Sequence, residues 1–242
     1  MTRTESGKLS HYNKCDMNYL LLPLIIVTVG LYIIAALIWL FDCHGLDKLR
    51  HPEEYQDQGK AGERIIYNTF VKQIGVPENQ ILRNVYIPTK SGGTSEIDFL
   101  AISKKGIFVF ECKNYAGNIY GDGNRKQWIQ YLGNKKYYFY NPFMQNRNHV
   151  RHLQAYLSEF GDMPIVPMVS TISRGNWKVK NLNPKDYLLG YNSHFRDIYS
   201  GMDVSEIVEK NYNAIMAKLR PLSRPDNSIR EAHVAQIKHK RK

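Results

Sequence analysis

Residues 95–113 read S-E-I-D-F-L-A-I-S-K-K-G-I-F-V-F-E-C-K. β-Branched and aromatic residues flank the polar break Ser103-Lys104-Lys105-Gly106, so the stretch predicts two strands joined by a tight turn. A loop of two or four residues sets Asp98 opposite Glu111, with their Cβ atoms about 5 Å apart. Lys113 then lies on the same face, opposite Glu96. Leu100, Ile102, Ile107 and Val109 fill the rest of that face, and Ile97, Phe99, Ala101, Phe108, Phe110 and Cys112 form the other. With both faces apolar, the hairpin belongs in the middle of a sheet covered on both sides. Burying two carboxylates side by side is costly without a cation, so the pattern points to a hard divalent ion. The alternative is that Gly106 closes a three-residue loop with a bulge, slipping the register by one and separating the acids.

The chain of 242 residues, 43% hydrophobic, has room for one sizeable soluble core after its N-terminal segment. Its net charge of +11 falls entirely after Cys43, so the domain is basic and suits a polyanionic partner, either nucleic acid or an anionic membrane surface. Cys15, Cys43 and Cys112 form no disulfide framework, which favours a reducing compartment.

Tyr19 to Phe41 is an uncharged apolar run of 23 residues, long enough as a helix to cross a hydrocarbon layer of about 30 Å. Tyr19, Tyr32 and Trp39 suit the interfaces. A signal peptide is the weaker reading, because the apolar core is long and Trp39-Leu40-Phe41-Asp42 makes a poor cleavage site. Arg3, Lys8 and Lys14 before the span nearly balance Lys48, Arg50 and Lys60 after it, so charge leaves the orientation open. The expected layout is a tail over 1–18, a single-pass transmembrane helix over 19–41, a juxtamembrane linker over 42–57, a domain over 58–219 and a basic tail over 220–242.

Within the domain, Gln58 to Ile74 has helical spacing of its apolar residues, and Ile81 to Ile87 reads as a strand. Asn118 to Tyr140 alternates turns with aromatic strands. Asn141 and Pro142 fit the N-cap and first position of a helix running to about Phe160. Ile165 to Ile172 and Tyr187 to Leu189 read as strands. A last helix over Val204–Leu219 is expected with Asp203 as its cap and Glu206 completing a capping box. The tail from Arg220 to Lys242, rich in lysine and arginine, is expected to stay disordered or to pair with phosphate.

Five motifs now stand in order: Gly59-Lys60-Ala61-Gly62-Glu63, Glu96-Ile97-Asp98, Glu111-Cys112-Lys113-Asn114, Gln127-Trp128 and Asn141-Pro142-Phe143-Met144-Gln145. Together they resemble the nuclease-related domain (NERD) family of the PD-(D/E)xK nuclease superfamily, over residues 59–157. No proline precedes Asp98 where the superfamily's name places one. The resemblance implies a restriction-endonuclease-like α/β/α core with a central mixed sheet, Mg²⁺ or Mn²⁺ dependence, and hydrolysis of phosphodiester bonds in DNA. It implies Asp98, Glu111 and the Cys112 backbone carbonyl as metal ligands, with Glu63 acting through a water or a second ion. Lys113 would orient or deprotonate the attacking water, and Gln145 would contact Lys113, the metal shell or the substrate.

Lys104, Lys105, Arg125, Lys126, Lys135, Lys136, Arg147 and Arg151 surround these motifs among tyrosines, a mixture suited to phosphate contacts and stacking on bases. His149 and His152 have the spacing of metal ligands, but no third histidine or cysteine joins them. Cys112 reads as a small core residue, and Trp128 as core before stacking platform. The expected function is a membrane-anchored nuclease whose catalytic domain faces the cytoplasm. The competing reading is a catalytically silent module that tethers nucleic acid or a partner to the membrane.

Overall fold

A computed structural model describes residues 15–41, 58–74, 76–90, 92–171, 175–189, 195–223 and 226–240. The expected linker over 42–57 lies outside the described residues. The chain divides into two units at Arg50/His51.

The first unit contains α1 (Cys15–Phe41), a 27-residue helix with Pro23 inside it. The side chains described within it, at 23–35 and 37, are apolar apart from Thr28 and, Gly30 excepted, exposed. Among the described residues no helix is long and apolar enough to cross a membrane.

The second unit is built on a five-stranded mixed sheet. Its strands are β1 (Ile81–Pro88), β2 (Thr94–Ser103), β3 (Gly106–Cys112), β7 (Ile165–Ser170) and β9 (Tyr187–Leu189), hydrogen-bonded in that order. β1, β2 and β3 run antiparallel, and β3, β7 and β9 run parallel. The hairpin has a two-residue loop, Lys104-Lys105, and pairs Ser103 with Gly106 and Phe99 with Phe110. This is the even-loop register that directs Asp98 toward Glu111.

Both faces of the hairpin are covered, as its composition requires. On one side Leu100, Ile102, Ile107 and Val109 pack with Leu153 of α3 (Pro142–Tyr156) and with Val208, Ile215 and Leu219 of α5 (Glu206–Leu219). On the other, Phe99, Ala101, Phe108 and Phe110 pack with Ile66 and Tyr67 of α2 (Gln58–Ile74) and Phe195 of α4 (Phe195–Ser200). Phe99 and Phe110 stack with centroids 4.2 Å apart.

One face assignment differs from the simple pleat. Ile97 joins Leu100 and Ile102 instead of Phe99, packing with Val85 and Ile87. The pairing of β1 with β2 skips Asn84 and Asp98, and Asn84 adopts a left-handed φ of 48°. The pleat is broken at that step, so side chains before and after it change faces.

A second, four-stranded sheet was not separated from the first by the sequence pattern. Its order is β6 (Lys135–Tyr140), β5 (Gln127–Leu132), β4 (Asn118–Asp122) and β8 (Asn176–Lys180). Its inner face buries Ile119 and Trp128 against Phe143 of α3 and Val169 of β7.

α3 starts as expected: Asn141 Oδ1 accepts from the Phe143 and Met144 N–H groups, and Pro142 follows at the first helical position. The Asn141 Nδ2 group also donates to the carbonyls of Arg125 (2.9 Å) and Gly123 (3.3 Å), tying the helix start to the β4–β5 turn. α5 is capped by Ser205, whose side chain accepts from Val208 N–H, and not by Asp203. The C-terminal segment is also ordered differently from expectation. It forms a helix, α6 (Asn227–Lys240), whose His233 Nδ1 lies 2.9 Å from Thr94 Oγ1 and whose Gln236 Oε1 accepts from Thr94 N–H at 3.0 Å.

Candidate active site

At the end of the hairpin the strand ladder gives way to side chains. The last pair of β2 and β3 is Phe99 with Phe110. Beyond it the Cys112 N–H turns to Asp98 Oδ2 at 2.6 Å, so the carboxylate takes the place of the strand's own backbone acceptor. The Lys113 N–H continues the parallel side of the sheet by donating to Ser170 O at 2.8 Å. Asp98 is thereby fixed beside the start of Glu111-Cys112-Lys113 by the fold itself.

Glu111 is 1% exposed and fully engaged. Its Oε1 accepts from Lys113 Nζ, and its Oε2 lies 3.1 Å from His149 Nε2. His149, also buried, holds Ser95 Oγ at 2.8 Å through Nδ1. Burial opposes the Glu111 charge, but Lys113 and the His149 hydrogen bond more than offset it, and its carboxyl is held below the usual range. Asp98 goes the other way: burial and the neighbouring Glu111 charge push its carboxyl well above the usual range, with Glu63 adding to the pressure. Lys113 is half-buried, and although burial disfavours its charge, Glu111 and Asp98 raise its pKa above that of a free lysine. Two carboxylates driven apart in pKa beside one ammonium form an arrangement typical of acid–base or metal chemistry.

Cys112 packs against the apolar cluster beneath α2, and burial pushes its thiol well above the usual range. Its backbone N–H serves the site by holding Asp98. Gln145 is half-buried on α3, one turn before His149 and on the same helix face. Among the described residues, Lys113 Nζ bonds to Glu111 and not to Gln145. Asn146, fully buried, anchors the helix by donating from Nδ2 to the carbonyls of Val109 and Met168, both at 2.9 Å, across β3 and β7.

The basic residues do not converge. Lys104 and Lys105 sit at the far tip of the hairpin, about 20 Å along β3 from Glu111 at roughly 3.4 Å per residue. There Lys104 pairs with Glu209 at 2.6 Å, and Lys105 Nζ donates to the Tyr199 and Ser200 carbonyls at the end of α4. Arg147 is paired with Asp186, and Arg151 donates to Asn148 Oδ1 at 2.6 Å. Arg125 and Lys126 lie in the β4–β5 turn, with Lys135 and Lys136 on β6. His149 and Ser95 are the residues sequence reasoning left out of the site, although the one-turn spacing from Gln145 to His149 was visible.

Among the described residues no group of three or more His, Cys, Asp or Glu side chains is arranged to hold a metal ion. The ligands implied by the resemblance, Asp98, Glu111 and the Cys112 carbonyl, would offer hard oxygens, and the disfavoured charge on Asp98 is what a cation would relieve. Such a set suits Mg²⁺, which commonly takes one or two protein carboxylates and fills its shell with water and phosphate.

The geometry defines a mixed α/β domain with a carboxylate–lysine site at the end of a central hairpin. Residues 58–172 match the model of the nuclease-related domain, NERD. An uncharacterized protein of Bacillus anthracis is 30% identical over 187 residues, covering 76% of this chain and 85% of the relative. The chain belongs to the nuclease-related domain family. No solved structure gives a significant match.

His149→Ala is expected to raise the pKa of the Glu111 carboxyl, because it removes one of the two partners that hold it low. His149→Gln, which keeps a donor, is expected to recover most of the shift, read from the Glu111 carboxyl chemical shift across pH; equal shifts in both variants would exclude the hydrogen bond as the cause.

Proposed function

We propose that this chain is a membrane-anchored, metal-dependent nuclease of PD-(D/E)xK type, with a restriction-endonuclease-like core, that hydrolyses phosphodiester bonds in DNA. The observation that carries this reading is the convergence of Asp98, Glu111 and Lys113 where β2 leaves β3, in a member of the nuclease-related domain family.

Asp98, Glu111 and the Cys112 carbonyl would hold Mg²⁺ or Mn²⁺, with Glu63 reaching a bound water or a second ion. Such an ion, when bound, activates water and neutralises charge on the phosphate. In the metal-free site Glu111 and Asp98 raise the pKa of Lys113 against the effect of burial. Lys113 would orient or deprotonate the attacking water and stabilise the charged transition state. As an ammonium it gives one N–H to Glu111, and the other two orient the attacking water and stabilise a phosphate oxygen as charge builds. Hydrolysis adds the water oxygen to phosphorus, breaks the bond to the leaving oxygen, and leaves one product hydroxyl and one phosphate monoester. His149 holds Glu111 in position, and Gln145, on the same helix face, meets the substrate.

The uncharged run of 23 residues from Tyr19 to Phe41 is what supports the single membrane crossing; the catalytic domain is placed on the cytoplasmic side as part of the proposal, since charge leaves the orientation open. The test of the site is metal binding by the full chain in detergent. Adding Mn²⁺ or Mg²⁺ after EDTA treatment is expected to raise the melting temperature by several degrees, as a ligand bound only by the native state does. Asp98→Ala and Glu111→Ala are expected to abolish the shift. An unchanged melting temperature in the wild type, together with cleavage that persists in EDTA, would overturn the metal assignment.

A further inference from the structure

We propose that the outer face of the four-stranded sheet is a binding platform for single-stranded nucleic acid. The observation is a register. Tyr138 of β6 stands beside Ile129 of β5, Tyr120 of β4 and Lys178 of β8 in one row across the sheet. Lys136 and Tyr131 begin the adjacent row. Side chains alternate along a strand, so these residues face away from Ile119 and Trp128, which are buried on the inner face.

The face is built unlike an ordinary solvated one. Tyr138 is 60% exposed and Tyr120 40%, and each ring has an ammonium beside it: Lys136 Nζ lies 4.9 Å from the Tyr138 centroid and Lys178 Nζ 5.4 Å from that of Tyr120. Tyr120 and Tyr131 meet edge to face at 5.7 Å, which fixes their orientation. A groove of about 560 Å³ opens next to Tyr120, between Arg125, Gln127, Lys178 and Lys180. Asp122 is the acid in this groove, and it is held by Asn124 N–H (3.0 Å), Asn181 Nδ2 (3.1 Å) and Lys180 Nζ (3.9 Å).

Exposed rings with cations beside them are what a polyanion with unpaired bases requires, since bases stack on aromatic faces while lysines meet the phosphates. Duplex DNA hides its base faces and gains nothing from tyrosines arrayed on a sheet. A lipid headgroup could meet the cations of the groove but brings no flat face for Tyr138 and Tyr120 to stack on. Lys113 is followed by Asn118 of β4 within five residues, so the platform begins at most about 17 Å from the candidate active site. A strand lying on it can continue to Lys113. Only that last connection, from platform to cleavage, rests on the nuclease reading.

The test is fluorescence anisotropy of the full chain in detergent and EDTA. The probes are an oligothymidylate of about 20 nucleotides, longer than the site of one such module, and a blunt duplex of equal length. A soluble, fluorescent short-chain phosphatidylserine, compatible with the detergent, provides the lipid probe. Tyr120→Ala and Tyr138→Ala are each expected to weaken oligothymidylate binding about tenfold, with duplex binding unchanged. Tyr138→Phe, which keeps the stacking surface, is expected to bind as the wild type does. Unchanged oligothymidylate affinity in Tyr120→Ala/Tyr138→Ala would overturn the platform, as would a wild-type chain that binds only the phosphatidylserine probe. Binding to oligothymidylate without cleavage in Mg²⁺ would leave the platform standing and remove the nuclease reading. Unchanged affinity in the double variant with cleavage intact would do the reverse.

Discussion

Asp98→Asn is expected to lower DNA cleavage at least about 10³-fold while making the metal-free protein more stable, by about 0.5–2 kcal/mol. The opposite signs share one cause. Asp98 is placed by a short bond from Cys112 N–H at a point where burial and the Glu111 charge disfavour its ionisation. Asparagine keeps an acceptor for Cys112 N–H and removes the charge.

The stabilisation should depend on pH, and its sign follows from proton linkage. A carboxyl whose pKa is raised on folding holds its proton more tightly in the native state, so it destabilises the fold as pH rises from its unfolded value of about 3.9 toward the raised native one. Below that window both states are protonated and the variant should match the wild type. Above it the gap should be full. Glu111, held low by Lys113 and His149, runs the other way, stabilising the fold above about pH 4.3 and losing that contribution as pH falls further. Urea unfolding in EDTA at a series of pH values measures both effects. A variant less stable than the wild type at neutral pH would contradict this reading of Asp98.

Trp128→Ala is expected to cost about 3–5 kcal/mol, a large part of a domain's usual stability. Trp128 is 1% exposed, with ring centroids 5.7 Å from Phe143, 6.1 Å from Phe139 and 6.2 Å from Trp177. Its Nε1 donates to Asp122 O at 2.9 Å. Gly121 lies so close beneath it that a Cβ would come within 2.5 Å of the indole, so the ring fills its site without slack. Removing it opens a cavity between the second sheet and α3 and loosens the β4–β5 turn that Asn141 Nδ2 holds. The urea midpoint should fall with little change in slope. A loss under about 1 kcal/mol would mean that the second sheet contributes little to the fold.

Much of the site was legible because it rests on local rules. The polar break ending in Gly106 placed the turn and left an even loop and a three-residue loop with a bulge both open; the structure has the two-residue loop, Lys104-Lys105. Asn141 and Pro142 marked the start of α3, since both act through backbone geometry of their own. What escaped depends on distant partners. Ile97 changes faces because β1 and β2 break together at Asn84 and Asp98, a step that alternation along one strand does not contain.

The second sheet is defined partly by the parallel pairing of β4 with β8, separated by more than 50 residues. His149 enters the site only because α3 crosses back over β3 and β7. Lys104 and Lys105 were grouped with the acids by closeness in sequence, whereas the length of an extended strand carries them to the opposite end.

The most direct measurement is cleavage of supercoiled plasmid and circular single-stranded DNA by the full chain in detergent. It is run in Mg²⁺, in Mn²⁺ and in EDTA, beside Lys113→Ala with its fold checked by circular dichroism. Cleavage that requires the metal and disappears in the folded Lys113→Ala variant is the expected result. A folded wild-type chain that binds DNA yet leaves both substrates intact under either metal would contradict it, and would make the domain a tether for nucleic acid.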